Sequence, residues 1–199
     1  MASRLGDQTA RLQGRITLNP MYHIDPIGTL LIPAIAIFGH FGYLIGWAKP
    51  TPVITRNFKH IKRDDNLVTL AGPFSNLLLV AIAFTILAIV CIAVPGGRTL
   101  VHENLGEVLA FQGGLQPLVL LALLAIEVNL CLFFFNLLPI PPLDGSRVLR
   151  NMLPYNAVRF YDGINIWISY ILMFLVGGFI LRLLLGPSLR LIFSALGRI

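Results

Sequence analysis

Charge is what this sequence has least of. Asp, Glu, Lys and Arg make up 12% of its 199 residues, about half the roughly 25% carried by soluble globular domains. That shortage excludes an ordinary soluble domain, and a hydrophobic content of 56% with mean hydropathy +0.81 points to a lipid-embedded chain. Cysteine is nearly lacking too. Cys91 and Cys131 both sit inside apolar runs, which excludes a disulfide framework or a CxxC site and leaves two small buried hydrophobes. Acidic residues are few, 9 against 15 basic ones, for a net charge of +6. Such an excess can signal nucleic acid, but a membrane protein needs basic loops to orient itself, and no nucleic-acid partner is expected. Residues 1–7 lack the apolar stretch of a cleavable signal peptide, and no internal repeat or low-complexity segment occurs.

Long apolar runs are what the sequence has in abundance. Three of them, 67–94, 115–138 and 164–185, reach the roughly 20 residues that cross about 30 Å of hydrocarbon as helix. The first is free of charge from Leu77 to Val94, the second holds Glu127, and the third holds Arg182 near its end. All three are expected to span. Residues 187–199 place Leu189, Ile192, Phe193 and Leu196 at helical spacing, which predicts an interfacial amphipathic helix.

Residues 30–48 are apolar but interrupted by Pro33, Gly39, Gly42 and Gly46, with His40 among them. They read either as a strained spanning helix or as a re-entrant hairpin, since backbone breaks at membrane depth are tolerated where protein covers them. Basic residues decide between these. If 30–48 spans, eight fall on one side and seven on the other; if it re-enters, residues 1–29, 49–66 and 139–163 share one side and hold eleven, against four. The positive-inside bias favours re-entry, with the N-terminus and the basic loops cytoplasmic. Residues 15–19 and 50–55 show the alternation and β-branching of short strands, Pro50 and Pro52 confining the second to an edge. The expected fold is an all-α polytopic membrane protein forming a single membrane-embedded domain over 1–199. It has three spanning helices, the re-entrant hairpin, a small cytoplasmic β-element with a basic loop built from 1–29 and 49–66, and the C-terminal amphipathic helix.

The run Phe135-Asn-Leu-Leu-Pro-Ile-Pro-Pro-Leu-Asp-Gly-Ser-Arg147 carries the clearest chemistry. Pro139, Pro141 and Pro142 end a spanning helix, and Gly145 allows tight backbone geometry after Asp144. The outcome is a carboxylate fixed at the membrane boundary. A plain alternative is that Asp144 caps the helix that follows. A second run, Ala71-Gly-Pro-Phe-Ser-Asn76, sets a Gly-Pro step and polar groups within the first span. Asn76 could pair with Asn136 across two helices, or simply hold the bundle together. Glu127 in mid-span is a functional candidate by position, with a structural pairing to Asn129 or to another helix as the other account. His40 reads as a packing residue and His60 as part of a solvated basic loop.

These two runs, with Arg4-Leu-Gly-Asp-Gln-Thr-Ala10, Gly14-Arg-Ile-Thr-Leu-Asn-Pro20, His23-Ile-Asp-Pro-Ile-Gly-Thr29 and Gly46-Trp-Ala-Lys-Pro50, resemble the site-2 protease family of intramembrane zinc metalloproteases. The likeness is to its compact prokaryotic branch without a PDZ domain, and it extends in order over most of residues 4–150. The resemblance implies hydrolysis of peptide bonds in or near the transmembrane helices of membrane-protein substrates. It further implies a Zn²⁺ cofactor held by Asp144 and the two His of an HExxH helix, whose Glu takes a proton from the zinc-bound water. It makes Asn76 and Asn136 candidates for holding the substrate strand, and puts His23 and Asp25 in a loop near the catalytic face. A multi-pass prokaryotic cell-membrane protein with its zinc site toward the cytoplasm is the implied setting. HExxH occurs nowhere in the sequence; His102-Glu103-Asn104-Leu105-Gly106 lacks the second His. The expectation is therefore that the HExxH helix lies ahead of Met1 and that this chain alone is inactive. The alternative is a non-catalytic pseudoprotease or a membrane-binding or transport subunit.

Overall fold

Apolar side chains fill nearly every position of the long uncharged runs, and helix is the only open structure that satisfies its own backbone in lipid. A computed structural model describes residues 1–17, 19–39, 46, 48–104 and 114–198. It falls into two compact units, Met1–Asp65 and Asn66–Ile199. Among the described residues three helices are long and apolar enough to cross a membrane: Ile61–Ala93, Gln116–Asn136 and Ile166–Arg198.

Helix α3 (Ile61–Ala93) lies in the second unit from Asn66 onward and is followed there by α4 (Gly97–Asn104), α5 (Gln116–Asn136), α6 (Asp144–Met152) and α7 (Tyr155–Asp162). The last long helix consists of α8 (Ile166–Leu172), a π-helical stretch Met173–Gly177 and α9 (Gly178–Arg198). Val80, Ala83, Leu87 and Val90 on α3 lie on one face, as do Val119, Ile126 and Leu130 on α5. With Val101 and Leu196 they form one buried cluster. The opposite faces, including Leu78, Ile82, Leu121 and Leu124, are open to lipid.

Helix α3 starts six residues ahead of the expected Leu67. The Asp64 carboxylate accepts the His60 amide at 2.9 Å and closes the first turn, so the helix begins within a charged segment. Hydropathy marks the lipid-crossing part, whereas capping marks the helix. A second difference concerns the C-terminus. The expected amphipathic helix over 187–199 is no separate element, because Pro187 lies inside α9 and the helix runs on to Arg198. Leu196 is packed into the bundle core, so burial against protein, not an interface, holds this stretch.

The first unit contains short helical pieces: α1 (Thr9–Leu12), α2 (Ile32–Phe38), a π-helical turn Pro26–Leu31, and 3₁₀ turns at Ala2–Leu5, Pro20–Tyr22 and Thr55–Asn57. The expected β-element is not found: among the described residues of 15–19 and 50–55 there is no strand. Side chains take the polar groups a ladder would use. The Ile54 amide donates to Asp7, the Arg15 guanidinium to the Tyr22 carbonyl, and the His23 ring meets the Thr17 carbonyl at 3.0 Å. Pro50 and Pro52 have no N–H to offer. Of the candidate re-entrant segment, 32–38 is helix, while residues 40–45 and 47, including His40, lie outside the described residues.

Candidate active site around Asp144

Three prolines stop α5 from continuing, and the chain turns through Pro139–Leu143 with a cis Pro141–Pro142 peptide. Helix α6 then starts at Asp144 itself. Its N-cap is Leu143, and no side-chain hydrogen bond caps it. The capping account of Asp144 is therefore not what the structure adopts: the Asp144 backbone is already helical, and the Ser146 hydroxyl donates to the Leu143 carbonyl at 2.7 Å. Gly145 has a reason beyond turn geometry. A Cβ there would run into the Leu137 carbonyl and lie 2.6 Å from the Leu138 oxygen, so only glycine lets α6 start this close to the end of α5.

That close start brings Asp144 to α3. A Cβ placed on Gly72 would lie 3.5 Å from Asp144 Oδ2, so the carboxylate rests against the bare backbone of the Gly-Pro step. About two helical turns further, Asn151 Nδ2 donates to Asn66 Oδ1 at 2.7 Å. Asp144 beside Gly72 and Asn151 beside Asn66 make α6 antiparallel to the first turns of α3. The two runs singled out from sequence meet here. Burial pushes the Asp144 carboxyl above its usual range, while the nearby Arg147 charge pulls it back.

Around this carboxylate α3 has an interrupted polar face. Pro73 is fully buried and has no N–H for the Thr69 carbonyl. Thr69 Oγ1 is buried without a hydrogen-bond partner. The Ser75 hydroxyl donates to the Gly72 carbonyl at 2.6 Å. Thr69, Gly72, Pro73 and Asn76 follow the spacing of a single helix face. Asn76 and Asn136 are both half-buried, and among the described residues neither forms a side-chain hydrogen bond, so the possible Asn76–Asn136 pair is not made. Glu127 is exposed on α5, off its buried stripe, and Asn129 donates to the Ala125 carbonyl at 2.8 Å instead of to Glu127. His102 lies on α4, with Gly197 of α9 packed at its ring.

His23 and Asp25 belong to the first unit. Asp25 Oδ1 accepts the Ile27 and Gly28 amides at 3.0 and 2.7 Å and caps the Pro26–Leu31 turn. The His23 carbonyl accepts the Lys49 amide at 2.9 Å. The same unit holds a network that sequence reading left unassigned. Asp7 is 1% exposed and accepts from the Thr9 amide and hydroxyl, the Ile54 amide and the Asn57 side chain. The Thr9 hydroxyl is the leading cause that lowers its carboxyl to about 2. Gly6, at φ 117°, leaves no room for a Cβ, which would lie 2.6 Å from the Asn57 carbonyl. The Gly-Asp step was the available signal: a left-handed glycine followed by an acid that could gather several donors.

Zinc sites use three or four protein ligands. Among the described residues no group of three His, Cys, Asp or Glu side chains comes together to hold a metal. Asp144 alone does not fit a zinc ion, and a zinc bound here would need ligands from beyond the described residues.

Fold and site together define an all-α membrane protein that presents a half-buried carboxylate beside a proline-interrupted helix. Two curated relatives share its sequence. "Putative zinc metalloprotease YwhC" of Bacillus subtilis (strain 168) is 43% identical over 155 residues, which is 77% of this chain and 61% of that protein. "Putative zinc metalloprotease Rip2" of Mycolicibacterium smegmatis is 29% identical over 150 residues, 75% of this chain and 48% of that protein. The chain thus spans less than two thirds of the length of the curated relatives it matches. No family model and no solved structure matches it. The chain is thus similar to proteins named as zinc metalloproteases, in keeping with its resemblance to the site-2 protease family.

Proposed function

We propose that this chain is the part of an intramembrane zinc metalloprotease that supplies the carboxylate ligand and the substrate cleft. The observation that carries the reading is the placement of the Asp144 carboxylate against Gly72 at the start of a spanning helix. Both relatives bear zinc-metalloprotease names, which supports the metal. Bound zinc would supply Lewis-acid activation for peptide hydrolysis. The chain's own part is to hold Asp144 with the Gly145 close approach and the Asn151–Asn66 bond. Asn76 and Asn136, with amides unengaged, offer donors and acceptors to the backbone of an unwound transmembrane segment. The substrates in this reading are membrane proteins, and the site faces the cytoplasm.

Zinc content tests it. The purified 199-residue chain is expected to hold less than stoichiometric Zn²⁺, and to bind one equivalent when an apolar helix ending in HExxH is supplied in trans. The Asp144→Ala variant should lose that equivalent. Zinc bound equally by the variant would overturn the assignment, and full zinc occupancy of the chain alone would show a ligand set other than the one proposed. In the reconstituted protein Asn76→Ala should reduce cleavage of a transmembrane peptide about tenfold or more, the loss of a hydrogen bond worth roughly 1.5 kcal/mol in the transition state. A pseudoprotease would bind the peptide and leave it intact.

A further inference from the structure

Helices α6 and α7 enclose an open cleft of about 470 Å³, lined by Arg150, Tyr155, Val158, Arg159, Asp162 and Gly163. Its charges do not cancel. Arg150 Nε and Nη2 both reach the Asp162 carboxylate at 2.7 Å, a bidentate pair that takes up the only acid in the lining. Arg159 is exposed and makes no ion pair among the described residues. The cleft thus keeps one uncommitted guanidinium, next to a tyrosine and an apolar valine.

Its depth is set by the chain. Gly163 lies three residues before Ile166, where the third apolar helix begins, so it sits within about 11 Å of that helix's start. Asn165 caps that helix by accepting the Trp167 amide at 2.9 Å. Trp167 then stacks edge-on with Tyr170 at 6.2 Å between ring centroids. Tyr155 and Phe160 on α7 are 82% and 80% exposed. Aromatic rings gathered at the end of a spanning helix mark the level of the lipid headgroups. A basic cleft at that level, lined also by Tyr155 and Val158, matches a molecule that is anionic at one end and apolar at the other.

We propose that the cleft between α6 and α7 binds the phosphate of an anionic phospholipid through Arg159, with its glycerol and upper acyl chain along Tyr155 and Val158. The Arg150–Asp162 pair positions the wall and leaves the phosphate to Arg159. This site is separate from Asp144, and its test does not depend on proteolysis.

The test is native mass spectrometry of the detergent-purified chain titrated with phosphatidylglycerol or phosphatidylcholine. The wild-type chain is expected to retain phosphatidylglycerol over phosphatidylcholine. Arg159→Gln should lower phosphatidylglycerol retention about fivefold, as expected for one basic residue at a lipid surface, and leave phosphatidylcholine unchanged. Arg11→Gln, which removes an exposed charge in the other unit, should have no effect. The proposal is overturned if Arg159→Gln retains the lipid like wild type, or if Arg11→Gln loses as much. Displacement of the lipid by millimolar inorganic phosphate would also overturn it, by showing a site for small free anions.

Discussion

Asp7 shows how one side chain can organise a segment with almost no regular structure. Its carboxylate accepts the Ile54 amide at 2.9 Å and the Asn57 amide group at 2.9 Å, tying residues 54–57 back to the N-terminus. Asp7→Ala removes the charged acceptor of these part-buried bonds, at a cost of about 1–3 kcal/mol. The expected readout is faster hydrogen exchange at the amides of 54–57, with exchange in α5 unchanged. The carboxyl titrates at about 2 in the fold and near 3.9 when unfolded. Folding therefore favours the ionised form, so the stabilisation is complete above about pH 4 and fades as pH falls toward 2. Protection of the Ile54 amide should fall across that window in wild type and stay flat in Asp7→Ala. Asp144 teaches a different lesson at the same scale. Its residue type fits a helix cap equally well, and only the Leu143 cap with a helical Asp144 backbone separates the two accounts. A single sequence cannot tell where a helix starts to within one residue, and here one residue decides what the carboxylate faces.

At the scale of elements, the long helices were legible because each carries an apolar run of spanning length with at most one charge, and lipid leaves helix as the only open choice. The short elements were not. Residues 15–19 and 50–55 alternate like strands, but strand formation needs a partner edge, and the donors of this unit go to Asp7 and to carbonyls near the turns. The C-terminal helix was misjudged for a related reason. Pro187 reads as a boundary, yet losing one hydrogen bond is tolerated where Leu196 is packed into the core. Pro187→Ala should restore the bond to the Leu183 carbonyl and raise the melting temperature in detergent, by up to the ~3 kcal/mol a mid-helix proline costs. A lower melting temperature would mean that the proline sets a bend the packing requires. Gly145 was legible as special, but its reason, the nearness of two α5 carbonyls, is a contact between elements and has no local signature.

For the whole molecule, a family resemblance was readable from ordered motifs over residues 4–150, and the 43% identity to a relative named as a zinc metalloprotease agrees with it. The topology is a matter of side counting. If 30–48 re-enters, eleven basic residues share one side of the membrane with Asp144. Asn19→Cys and Arg56→Cys should then react with an impermeant thiol reagent from the same side of sealed vesicles, and labelling from opposite sides would show that 30–48 spans. The two native cysteines, Cys91 and Cys131, lie within spanning helices and give a low background.

Helix α3 has 33 residues, a length of about 50 Å against roughly 30 Å of hydrocarbon. About two fifths of it must therefore stand outside the bilayer or lean over, and the N-terminal two fifths carry Asn66 and Gly72, the two points where α6 is fastened. A rod longer than its slab adjusts by tilting, and the tilt follows the slab's thickness. Lipids with shorter acyl chains would lay α3 over and move Gly72, with the Asp144 carboxylate resting on it, relative to the water boundary. The depth of this carboxylate is thus set jointly by the protein and by the membrane it sits in.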